Sequence, residues 1–83
     1  MKSEHRFVDI GHGNRVNLAR ILVVTGADSS PIKRMILDAR DRGTLIDASS
    51  GKKTRSVIVT DSDHVILSAL ETEELMAAVS ELG

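Results

Sequence analysis

The 83-residue sequence contains no cysteine, no tryptophan and no tyrosine, and Phe7 is its single aromatic residue. Without cysteine there is neither a disulfide framework nor a thiolate metal site. With one aromatic ring, the core has to be built from Ile, Leu, Val, Met and Ala. Single-stranded nucleic acid is disfavoured as a partner, because its bases usually stack on aromatic side chains. No apolar run approaches the ~20 residues of a membrane span, and the first residues lack the continuous apolar segment of a signal peptide. These features predict a cytoplasmic protein with no membrane association. Such a length predicts a single domain over residues 1–83. A domain this small buries only about 60–65% of its unfolded surface, so self-association is an expected source of further burial.

Positive charge is also missing from one part of the chain. All 11 Lys and Arg residues lie within 1–55, alongside six acids. Residues 56–83 carry the other six acids and no Lys or Arg, so a formal net charge of −1 conceals segments of +5 and −6. Such asymmetry fits a local basic patch that meets nucleic acid, or subunits that meet head to tail through unlike charges.

The apolar pattern predicts an α+β fold: a small, mostly antiparallel sheet with a central helix and a C-terminal helix. Residues 7–10 read as a strand and Gly11-His12-Gly13-Asn14 as a turn. Residues 15–24 end in a β-branched strand closed by Thr25-Gly26, with Arg20 at its mouth. Ser29-Ser30-Pro31 starts the central helix, with proline expected at its first position. Ile32, Met35, Ile36 and Ala39 recur on one helical face, and Gly43 follows as the cap. Leu37 extends the apolar surface, and Arg34, Asp38 and Arg42 are spaced to form an ion-pair ladder. Residues 44–48 read as a short strand, 49–53 as a flexible hairpin loop, and 54–60 and 64–70 as a strand pair around the turn Asp61-Ser62-Asp63. Apolar residues on both faces of this pair predict a helix on one side and a partner on the other. Thr72 is placed to cap the last helix, with Leu75, Val79 and Leu82 as its stripe.

Catalytic and metal chemistry find little support. The Gly-His-Gly turn lacks the spacing of a dinucleotide fingerprint or a phosphate loop. Asp61, Asp63 and His64 do not have calcium-loop spacing. His5 and His12 complete no zinc motif. Ser62 beside His64 is better explained as turn chemistry than as a nucleophile and its base. Asp47 is expected to hold the following loop or to pair with an arginine. No enzyme activity, no metal and no cofactor are therefore expected. The remaining constellation is Lys52, Lys53 and Arg55 beside the small residues Ser49, Ser50 and Gly51, where backbone can approach a phosphate and cations can neutralise it. Repeated once per subunit of an oligomer, a weak patch of this kind becomes a cumulative one.

Six stretches carry a family resemblance: residues 10–14, 31–36, 38–43, 45–48, 51–55 (Gly-Lys-Lys-Thr-Arg) and, most specifically, 61–69, which run Asp-Ser-Asp-His-Val-Ile-Leu-Ser-Ala. Together they resemble the RemA family, small bacterial regulators of extracellular matrix genes. The resemblance implies a non-enzymatic protein that binds double-stranded DNA and assembles into a closed ring of seven or eight subunits around which the duplex bends. The family's DNA-contacting arginines fall on Arg20 and on Lys52 and Lys53. Arg55 joins them on charge and position, and Pro31 on assembly or helix placement. Two departures stand out. Lysines occupy the loop pair where the family favours arginines, which keeps the charge and loses the bidentate fork. His12 occupies a position where an aromatic is common. The alternative reading is a structural or protein-interaction homo-oligomer without DNA binding, its oppositely charged segments meeting between subunits.

Overall fold

The computed structural model describes residues 6–82. Residues 1–5, including His5, and Gly83, expected to end the last helix, fall outside the described residues, as does the side chain of Leu82. The chain opens with a hairpin of β1 (Phe7–Gly11) and β2 (Asn14–Asn17). Its turn is left-handed at three successive residues, Gly11 (φ 101°), His12 (φ 55°) and Gly13 (φ 80°). Gly11 is also in close approach: a Cβ there would meet the Leu70 side chain at 3.3 Å. Asn14 fastens the turn, its Nδ2 donating to the Gly11 carbonyl at 3.1 Å.

Residues 15–24 do not form one approach to a strand, as their composition suggests. A 3-10 turn at Leu18–Arg20 interrupts them, capped by Asn17, whose side-chain oxygen accepts from the Ala19 N–H at 3.0 Å. The apolar residues on either side therefore belong to different strands. Val16 belongs to β2, and Ile21 begins β3 (Ile21–Gly26).

The central helix α1 (Ser30–Arg42) has Ser29 as its N-cap, with Oγ accepting from the Ile32 N–H at 3.4 Å. Pro31 is thus the second helical residue rather than the first, a position where its missing N–H is still harmless. Gly43 ends the helix in the left-handed conformation, its N–H directed at the Ala39 and Arg40 carbonyls. Among the described residues no ion pair joins Arg34, Asp38 and Arg42, so the expected ladder is not formed. After α1 come β4 (Leu45–Asp47), β5 (Ser56–Thr60), β6 (Val65–Ser68) and α2 (Thr72–Leu82). At the start of α2, Glu74 accepts from the Glu71 N–H at 3.0 Å, the glutamate half of a capping box. Thr72, expected as the cap, is already helical, and its hydroxyl instead lies 3.3 Å from Ser56 Oγ.

The main sheet has the order β3-β5-β6-β4. β5 is antiparallel to both neighbours, whereas β4 runs parallel to β6. Both apolar faces of its central β5–β6 pair are covered within the chain. Ile58, Ile66 and Ala48 pack with Val8, Ile10 and Val16 of the hairpin and Leu75 of α2. On the other side Val57, Val65 and Leu67 pack with Ala27 and Ala39, backed by Ile32, Met35 and Ile36 of α1. The expectation that one face awaits a partner is therefore corrected: the β1–β2 hairpin and α2 occupy it. Each fully buried Val, Leu or Ile is worth roughly 1.5–3 kcal/mol. Buried serines of β5 and β6 tie the sheet to the hairpin and to the segment before α2 on the first of these sides. Ser68 Oγ donates to the Ile10 carbonyl at 2.7 Å, and Ser56 Oγ to the Leu70 carbonyl at 2.6 Å.

Candidate nucleic-acid interface

The basic loop is not a hairpin tip. Because β6 lies between β4 and β5, residues 48–55 have to cross the end of β6 to join them. Nor is the loop loosely attached. Ala48 N–H donates to the Leu67 carbonyl at 2.9 Å at its start, and Arg55 N–H to the Ser68 carbonyl at 2.9 Å at its end. Between them Ser49 is buried, and both its backbone N–H (2.9 Å) and its hydroxyl (2.6 Å) donate to the same oxygen of Asp47. These two bonds, the hydroxyl's foremost, hold the Asp47 carboxyl below the usual carboxylate range, with a smaller contribution from the Arg40 charge. Asp47 thus holds the loop, as its position suggested. Lys52 N–H closes a turn onto the Ser49 carbonyl at 3.0 Å, through left-handed Ser50 (φ 54°) and Gly51 (φ 80°). A side chain at position 51 would be strained by its φ alone.

This scaffold presents Lys52 and Lys53 to solvent, and among the described residues neither ammonium has an ion-pair partner. Arg55 differs. Its Nε lies 3.6 Å from Glu71 Oε2, just before α2. Arg20 differs again, in place as well as in pairing. It closes the 3-10 turn, and its Nη1 lies 3.2 Å and 3.4 Å from the two carboxylate oxygens of Asp61. The backbones are joined as well, through the Asp61 N–H and the Arg20 carbonyl at 2.9 Å.

The strand register fixes how far apart these groups are. Ile21, next to Arg20, pairs with Thr60, while Gly26 pairs with Ser56, next to Arg55. Arg20 and the basic loop therefore occupy opposite ends of β5, roughly 13 Å apart along a five-residue strand before side-chain reach is added. Lys52, Lys53 and Arg55 are brought together, and Arg20 is not brought to them within one chain. Pro31 is exposed near the start of α1. It lines a groove of about 360 Å³ together with Arg34, Asp38, Arg42, Val59 and Asp63.

The Asp61-Ser62-Asp63-His64 segment is a turn whose polar groups satisfy one another. Ser62 Oγ lies 2.8 Å from His64 Nδ1 and 3.0 Å from Thr60 Oγ1. Among the described residues, no group of three or more His, Asp or Glu side chains is arranged to hold a metal ion. Asp61 and Glu71 were not singled out in the sequence as partners of the basic residues. The signal available was the confinement of six acids to a segment without cations.

Residues 7–78 match the RemA-like family, described as extracellular matrix regulatory protein A-like. The chain belongs to the RemA-like family. A relative in Thermodesulfovibrio yellowstonii is 56% identical over 76 residues, covering 92% of this chain and 89% of its own. One in Desulforudis audaxviator is 59% identical over 70 residues, covering 84% and 74% respectively. A third, in Geobacillus thermodenitrificans, is 56% identical over 68 residues, covering 82% and 78%. Their names propose a regulatory role and specify no target. RemA-like proteins form a bacterial family of regulators rather than enzymes.

Proposed function

We propose that this RemA-like protein is a ring-forming, DNA-binding transcription regulator in which residues 1–83 act as one DNA-binding and oligomerisation domain. Lys52 and Lys53 contact phosphates of double-stranded DNA, with Arg20 and Arg55 as further contacts. The observation that carries this reading is the exposed lysine pair, unpaired with any described acid and raised on a loop anchored at both ends. An anchored loop loses little conformational freedom on binding, so more of the phosphate attraction is retained as affinity. A ring of seven or eight subunits, the number the family resemblance implies, multiplies a contact that is weak in one copy. Pro31 acts in assembly or in placing α1, the role the family resemblance implies. Among the described residues no helix is long and apolar enough to cross a membrane, which agrees with action in the cytoplasm, where extracellular matrix genes would be its targets.

Duplex binding followed by fluorescence anisotropy at several salt concentrations tests the proposal. The wild type should bind with a steep salt dependence. K52A/K53A should bind at least tenfold more weakly, with the slope flattened by about 0.9 for each phosphate contact removed. Equal affinities and equal slopes would sink the DNA reading.

A second reading, assembly without DNA binding, is favoured by one feature. The edge strand β3 exposes Leu22 and Val23, at 66% and 47%, where a neighbouring subunit could cover them. It predicts no duplex affinity in the same titration. If the charged segments hold the assembly together, its mass by light scattering should also fall as salt is raised.

A further inference from the structure

Two of the four cations assigned to DNA are already engaged by carboxylates, and the other two are not. Arg20 faces Asp61 at one end of β5, and Arg55 faces Glu71 at the other. Both acids come from residues 56–83, the segment that carries six acids and no Lys or Arg. Lys52 and Lys53 have no such partner among the described residues. The same arrangement therefore occurs twice, at separate places in the fold, and spares only the lysine pair.

We infer that Asp61 and Glu71 are internal competitors of DNA phosphate, which set the strength of the Arg20 and Arg55 contacts. This rests on the DNA-binding reading above and concerns the tuning of that site. An ion pair this exposed is weak and screened by salt, so phosphate can displace the carboxylate. Displacement has a cost that a free lysine does not bear, because the arginine gives up one anion to take another. It also alters the ionic balance. A phosphate neutralised by Lys52 releases a counterion into solution. A phosphate neutralised by Arg20 releases one as well, but the freed Asp61 carboxylate then attracts a cation of its own. The lysines thus make unconditional contacts, whereas the arginines make conditional ones that strengthen only where phosphate density is high, as on a duplex held across several subunits.

The competing possibility is that each carboxylate orients its arginine for the phosphate. Asp61→Asn separates the two, because asparagine keeps the shape and the carbonyl acceptor and removes the charge. The backbone bond from residue 61 to Arg20 is unaffected. Glu71→Gln makes the same test at the other end of the sheet, so the idea can be examined even if one variant fails to fold, as judged by thermal melting. Binding of both to a fluorescein-labelled duplex of random sequence is titrated across a salt series, beside the wild type and K52A/K53A. Competition predicts tighter binding by D61N and E71Q, up to about fivefold for each contacted arginine, the range an exposed ion pair is worth. It also predicts a salt slope steeper by up to about 0.9 for each contact. Binding by folded D61N and E71Q that is equal to or weaker than that of the wild type overturns the inference. If K52A/K53A is still impaired in that case, the DNA-binding reading stands without it. If the wild type shows no measurable duplex affinity, the reading itself falls, and the competition with it.

Discussion

The two ends of β5 carry the same kind of charge under different local control. At the end beyond Thr60, Arg20 closes a 3-10 turn and is held to the β5–β6 turn by its Asp61 ion pair and by a backbone hydrogen bond. At the end before Ser56, the crossing loop is held by Asp47 and Ser49, so its lysines are not needed to anchor it. Lys52 and Lys53 are left to solvent as a result. A cation becomes available to a partner when hydrogen bonds that do not involve it do the structural work around it. Where ion pairing does that work, the cation is partly committed. Charge counted along the sequence would rank Arg20 and Lys52 alike, whereas their partners separate them.

The strongest way to break this contrast is to neutralise each end in turn. K52A/K53A should lose at least tenfold in duplex affinity in an anisotropy titration, and Arg20→Ala should lose less, because its contact already competes with Asp61. A larger loss for Arg20→Ala would reverse the ranking of the two ends. A smaller effect comes from restoring the fork at the loop. K52R/K53R should tighten binding several-fold, since guanidinium groups can bond phosphate bidentately and arginine at these positions has no described acid to face. Unchanged affinity would mean that the lysines act as point charges only.

The smallest effect concerns the anchor. Asp47→Ala removes two hydrogen bonds at the base of the loop. It should lower stability by about 0.5–1.5 kcal/mol in urea denaturation, the low end being favoured because the carboxylate is largely exposed. The pH dependence has a definite sign. The carboxyl is held below its ordinary value in the folded protein, so its contribution is fully present above the unfolded carboxylate range, near pH 4, and is lost as pH falls through the lower folded value. Faster hydrogen exchange at Ser49 and Lys52 in the Asp47→Ala variant, with exchange at the Asp61 turn unchanged, would show that the two ends are anchored independently.

Much of the architecture is legible in the sequence. The helix α1 carries its own limits, with Ser29 before it, Pro31 inside its first turn and Gly43 after it, and its buried face repeats at helical spacing. The β5–β6 pair was equally plain, since both strands are short, β-branched and joined by a turn of aspartates and serine. Less legible was the split of residues 15–24, because Val16, Leu18 and Ile21 are all apolar and nothing but the Asn17 cap marks the break. Residues 49–53 look like a hairpin loop in the sequence for a related reason. Two strands flanking a Gly-containing loop look like neighbours, and only the insertion of β6 between them makes the loop a crossing. The composition of the candidate site was visible as clustered lysines, but the acids that engage Arg20 and Arg55 lie 41 and 16 positions further along the chain, and no local pattern announces such distances.

The sequence by itself determined which residues are apolar on which face, where α1 begins and ends, and that all the positive charge precedes residue 56. These depend on periodicity, capping and composition, all of which act over a few residues or over the chain as a whole. Tertiary structure alone decided that both faces of the β5–β6 pair are covered within the chain, that Arg20 and the lysine pair stand at opposite ends of one strand, and that Arg20 and Arg55 face carboxylates while Lys52 and Lys53 do not. Those outcomes depend on strand order and register, which are chosen by the joint packing of segments far apart in sequence, where no single segment contains the information.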